Sequence, residues 1–150
     1  MSPLQLDVSY AARRPWVPSP RLLREWAQAA LPRRRAPTVL SVRVVGLRSS
    51  RSLNARYRRN NKATNVLSFA GAGSAPDGRL FLGELVICAA VVAREALVQD
   101  KTLSAHWAHM ITHGVLHLLG FDHERKIEAA KMASREIQIL DRLGFSNPYL

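Results

Sequence analysis

The 150-residue chain, 47% hydrophobic and 22% charged, has one domain's length and an ordinary globular composition rather than a disordered one. Its longest apolar run, Leu85 to Ala93, is far short of the roughly 18 residues a membrane span needs, and Met1 to Gln5 lack a secretory leader's basic-then-apolar pattern. A net charge of +11 points to an acidic partner, and the lone Cys88 excludes an intramolecular disulfide and a thiolate zinc cluster, in keeping with a reducing, cytoplasmic location.

In chain order, Leu4, Leu6, Val8 and Tyr10 alternate with polar neighbours and predict a half-buried strand. Ser19 followed by Pro20 reads as a helix cap and first helical position, opening a helix through Leu22, Leu23, Trp26 and Ala30. A basic loop, Pro32 to Pro37, leads to a second strand through Leu40, Val42 and Val44, ended by Gly46. Ser52 to Arg59 predicts a short helix with Leu53 and Tyr57 on one face. Val66 to Phe69 and Leu80 to Cys88 are predicted strands, separated by a small-residue loop from Ala70 to Gly78. Three helices close the chain, over Ala89 to Val98, Ser104 to Leu119 and Glu124 to Leu143. With no repeat and no long linker, this predicts a single α+β domain over residues 1–150, a small mixed sheet packed with helices.

The charge is lopsided. Residues 1–75 hold 14 basic and 2 acidic residues, against 8 and 9 in residues 76–150. Most of the excess is arginine, whose planar fork suits phosphate oxygens, so a nucleic-acid partner is expected over a lipid surface.

All five histidines fall within 18 residues: His106, His109, His113, His117 and His123. On a helix His113 and His117 stand one turn apart on one face and can converge on a metal. His109 continues that stripe but is too far along it to join them. Gly120 is placed to stop the helix in the left-handed conformation, and His123 then folds back as a third ligand. Three neutral imidazoles suit zinc and leave a fourth position for water, the arrangement of a catalytic site. His106 and His109 are either supporting groups or core, and Asp122 either orients a ligand or shapes the turn. Gly114 stands where the H-E-x-x-H zinc peptidases carry their glutamate base, which argues against a peptidase.

The segment from His113 to His123, HGVLHLLGFDH, resembles the H-G-x-L-H-L-x-G-x-D-H signature of the YbeY family, single-strand-specific endoribonucleases of rRNA maturation. Leu53-Asn54 with Tyr57-Arg58, then Thr64 to Phe69, Leu82 to Ile87, and the closing Leu143-Gly144-Phe145 and Asn147-Pro148-Tyr149 are similar to further blocks of that family. Ala63 replaces a usual proline, and Glu84 a usual aspartate. The resemblance implies a zinc-bound α+β fold that cleaves single-stranded RNA at the 3′ end of small-subunit rRNA and serves ribosome quality control. It also implies contacts with a small-subunit ribosomal protein and an Era-type GTPase. The family's zinc ligands fall on His113, His117 and His123, and its functionally important arginine on Arg58. Tyr57 and Trp107 are either core residues or platforms for unstacked bases. A non-catalytic, zinc-stabilised RNA-binding assembly factor would share the basic surface, and only catalysis dependent on Arg58 separates it from a nuclease.

Overall fold

The computed structural model describes residues 4–122 and 124–150. Strands β1 (Leu4–Tyr10), β2 (Thr38–Val45), β3 (Val66–Ser74) and β4 (Leu80–Cys88) form one mixed sheet in the order β1-β2-β4-β3. The pairs β1–β2 and β2–β4 are parallel, and β3 runs antiparallel to β4. The described residues also form helices α1 (Pro20–Ala30), α2 (Leu47–Arg58), α3 (Ala89–Val98), α4 (Leu103–Leu118) and α5 (Lys126–Arg142), the last packed on α4 and α1. The α+β expectation holds, and no helix among the described residues is long and apolar enough to cross a membrane.

Strand periodicity divides the interior. Leu85 and Ile87 of β4 join Leu40, Val42 and Val44 of β2 in the main core, which reaches Trp26 of α1, Ile111 and Val115 of α4 and Ile139 of α5. The alternate residues Val86 and Cys88, with Val45 and Leu67, form a smaller core on the other face, against Leu53 of α2. The helix α4 is nearly all buried, because it lies between the sheet and α1, α3 and α5.

Most predicted boundaries lie within two residues of the observed ones, and two elements differ. The helix α2 begins at Leu47 rather than Ser52; its cap is Gly46, which offers no side-chain oxygen as a start signal. Strand β3 continues to Ser74 through residues expected to form a loop, because pairing with β4 overrides their weak strand propensity. That extension holds an irregularity between Ala70 and Gly73. A Cβ at Gly71 would stand 2.3 Å from the Phe81 carbonyl oxygen, and one at Gly83 (φ +149°) would stand 2.3 Å from that of Phe69. The long apolar run Leu85 to Ala93 is split where β4 ends at Cys88 and α3 begins at Ala89.

Glycine also sets the distance between α4 and the sheet. A Cβ at Gly114 would lie 2.7 Å from Leu85 Cδ2, so any side chain at this crossing would have to displace Leu85. The Ser68 hydroxyl of β3 reaches the Gly114 carbonyl at 3.4 Å, joining the edge strand to the middle of the histidine helix.

Candidate active site

The helix α4 arranges four histidines in a stripe, with ring centroids 6.0 Å apart from His106 to His109, 6.3 Å from His109 to His113 and 4.7 Å from His113 to His117. The first two are interior. His106 Nε2 lies 2.9 Å from Glu95 Oε1, and His109 Nε2 lies 2.7 Å from Glu136 Oε2. Burial holds His106 below the ordinary imidazole pKa, against the opposing pull of Glu95. One turn further on, His113 and His117 are half-buried and open onto a cleft of about 550 Å³.

Opposite the histidines, Arg58 closes the C-terminal turn of α2 and lines the same cleft. Its guanidinium donates to the Ser68 carbonyl at 2.9 Å and the Tyr57 carbonyl at 3.2 Å, and lies 5.2 Å from the centroid of the Phe69 ring. Because β3 is an edge strand, it has backbone groups that no neighbouring strand satisfies, and Arg58 takes one of them. The intervening loop is pinned from α2. Ser50 exchanges two 3.0 Å hydrogen bonds with the Thr64 backbone, and Asn54 donates to the Lys62 carbonyl at 2.8 Å. These bonds fix Thr64 and Asn65 in the cleft wall, and Asn65 is further tied to Glu95 at 3.0 Å.

Two of the three expected metal ligands, His113 and His117, thus share one cleft with Arg58. The third, His123, lies outside the described residues, and among the described residues no three His, Cys, Asp or Glu side chains form a metal-binding group. Gly120 adopts the expected left-handed conformation, with φ +101°. Asp122 accepts from the Glu124 backbone amide at 3.1 Å, which gives it a turn-forming role at the cleft rim.

A family model described as the endoribonuclease YbeY matches residues 19–144. The chain belongs to the YbeY endoribonuclease family. The solution structure of TM1509 from Thermotoga maritima is similar in fold, with a TM-score of 0.55 at 19% identity over 93% of this chain and 92% of that one. As a YbeY-family member the protein is an endoribonuclease of rRNA processing, with RNA as substrate and phosphodiester cleavage as reaction. The family is generally metal-dependent.

Trp107 and Tyr57, each open to a core or a base-stacking role from sequence, part company in the fold. Trp107 is fully buried in the core and offers no face to a base. Tyr57 is half exposed, with its ring edge-on to Phe69 at 5.2 Å. Glu84 pairs with Arg43 at 3.2 Å and is not among the cleft-lining residues.

Sequence reasoning passed over Glu95, Glu136 and Tyr149. Burial alone would raise the Glu136 pKa, but hydrogen bonds from His109, His113 and Tyr149 outweigh it and bring it down to about 2. Burial, then the hydrogen bond to Glu136, pushes the Tyr149 phenol well above its ordinary range. A signal for Glu136 was present: with Met132, Ile139 and Leu140 it occupies the buried stripe of α5, a carboxylate where helical period calls for an apolar residue.

Proposed function

We propose that this protein is a zinc-dependent, single-strand-specific endoribonuclease. It acts in the cytoplasm on the 3′ end of small-subunit rRNA and in ribosome quality control, as one metallohydrolase domain over residues 1–150. In this reading a small-subunit ribosomal protein and an Era-type GTPase are its partners. The observation that carries the proposal is the meeting of Arg58 with His113 and His117 across one cleft beside the edge strand β3.

The residues fit zinc. His113 and His117 are neighbouring imidazoles with planes 79° apart, on a helix whose position is fixed by its burial, and His123 follows the Gly120 stop as the third ligand. When bound, zinc supplies Lewis acidity toward a phosphoryl oxygen and toward water. The protein's own contribution is charge and position. Arg58 has five N–H donors, two of which face the Ser68 and Tyr57 carbonyls, and its remaining fork binds phosphate oxygens of the scissile linkage. Preorganised in this way, it stabilises the charge that grows there during cleavage. The arginine-rich first half draws the RNA in from solution.

The test is cleavage of a single-stranded small-subunit rRNA 3′ fragment by the wild type and by Arg58→Ala, purified identically and matched for zinc content. The expected result is robust wild-type cleavage and a loss of about 10²–10³-fold in the variant, the scale of one oxyanion-stabilising donor. Equal cleavage by both would overturn the role of Arg58. Binding by both with cleavage by neither would favour the assembly-factor alternative.

A further inference from the structure

We propose that Glu136, held by Tyr149, is a positioning residue that sets the tautomer and orientation of His113 for zinc. This inference rests on the zinc reading above and concerns how the chain prepares one ligand. Glu136 is 1% exposed, in the middle of α5, and its carboxylate is aimed at α4 between His109 and His113. Its Oε2 lies 2.7 Å from His109 Nε2 and 3.2 Å from His113 Nδ1, while Tyr149 donates its hydroxyl to Oε1 at 2.7 Å.

The chemistry follows from what a carboxylate can do. An ionised carboxylate only accepts, so each imidazole nitrogen facing it carries the proton. With Nδ1 of His113 donating to this carboxylate, Nε2 is left as the nitrogen that would meet a metal. A carboxylate behind a ligating imidazole fixes the ring and raises its basicity.

A purely structural role explains this residue less well. A buried charge network is no better for stability than well-packed apolar residues of similar volume, and often worse. Met132, Ile139 and Leu140 on the same stripe show that this layer accepts apolar side chains. The carboxylate also serves the buried His109, and His113 is the contact through which it reaches the cleft. Tyr149 completes the device. Its ring stands edge-on to His109 at 5.6 Å, and its hydroxyl occupies the second oxygen, which prevents the carboxylate from turning away.

The experiment uses the full chain, first stripped of metal. Histidine ring ¹⁵N shifts in the zinc-free wild type should show His113 as the Nδ1–H tautomer; an Nε2–H tautomer would overturn the proposal without any variant. Zinc affinity is then measured by competition with a chromophoric chelator for the wild type, Glu136→Gln, Glu136→Met and Tyr149→Phe. Glu136→Met should bind zinc about 10–100-fold more weakly. Glu136→Gln, which keeps an acceptor oxygen but not the charge, should recover part of the loss, and Tyr149→Phe should show a smaller loss. A Glu136→Met affinity within about twofold of wild type overturns this inference alone. If that variant does not fold, Tyr149→Phe decides, and its unchanged affinity would count against the proposal. A wild type that takes up no zinc overturns the metal reading as well.

Discussion

Replacing Gly114 by alanine sets two opposed effects against each other at the crossing of α4 and β4. The added methyl removes a mid-helix glycine, worth about 0.8–1.0 kcal/mol in helix propensity. It also lands 2.7 Å from Leu85 Cδ2 and 3.1 Å from Cδ1, where carbon atoms prefer about 3.5–4.0 Å. Roughly 1 Å must be found, either by Leu85, which is fully buried, or by α4 lifting off the sheet. Overpacking of this kind costs about 1–3 kcal/mol, so the clash should win. We expect Gly114→Ala to be destabilised by about 1 kcal/mol in urea unfolding, a fall of about 2–4 °C in Tm. A lifted α4 also moves His113 and His117 away from Arg58, and a displacement near 1 Å can cost about 10²-fold in rate, so kcat on single-stranded RNA should fall by more than stability explains. Adding Leu85→Val, which withdraws the offending Cδ atoms, should restore part of both losses, with a favourable coupling of at least about 0.5 kcal/mol. A Gly114→Ala variant more stable than wild type by its helix-propensity gain, with kcat unchanged, would refute the close-approach argument.

Arg58→Lys should lose nearly as much rate as Arg58→Ala, since an ammonium cannot both hold the Ser68 carbonyl and fork onto a phosphate; near-wild-type kcat in this variant would reduce Arg58 to a point charge. Arg48, Arg51 and Arg56 line a separate surface depression on α2, so replacing all three by alanine should weaken single-stranded RNA binding without changing kcat. The log–log salt slope of that binding should fall by up to about 2, at about 0.7 for each phosphate that is no longer neutralised. Chelating zinc should lower stability by about 2.7 kcal/mol relative to protein held at a free zinc concentration of about 100 times Kd, read as a drop in Tm that added zinc reverses. The folded-state pKa of His106 is depressed by burial, so its contribution to stability is present above the unfolded value near 6.5 and is lost as the pH falls toward the folded value. In zinc-free protein His106→Gln should therefore flatten the acid limb of stability against pH, by up to about 1.4 kcal/mol per pH unit, and an unaltered limb would show that His106 does not titrate on folding.

What could be read from sequence was whatever local chemistry enforces. Ser19 caps α1 and accepts from the Leu22 amide at 3.3 Å, as its place before Pro20 implied, and Gly120 ends the histidine helix. The pairing of Arg58 with His113 and His117 was legible only through the family resemblance. Nothing in the roughly 55 intervening residues says that α2 and α4 contribute to one cleft beside β3. The start of α2 was hidden because its cap, Gly46, has no side-chain oxygen to mark it. The C-terminal half of β3 was hidden because its strand state is decided by β4, not by its own glycines. Glu136 was the avoidable omission. A charged residue in the apolar register of an amphipathic helix either signals an error in the helix or has a partner, and five histidines stood nearby in sequence to supply one.

The glycine pair across β3 and β4 changes how a mutational scan of this protein would read. At Gly71 and Gly83 any side chain meets a backbone carbonyl rather than a yielding side chain, and Gly83 also lies against Leu118 on α4. Both positions should therefore score as intolerant as the histidines in a screen for growth or RNA cleavage, although neither carries a group that can touch RNA. Ranking positions by lost activity alone would draw the catalytic centre too large, extending it along the hairpin. Scoring soluble protein level in parallel would separate the two kinds of position, because the glycine variants should lower abundance while Arg58 variants lower only turnover.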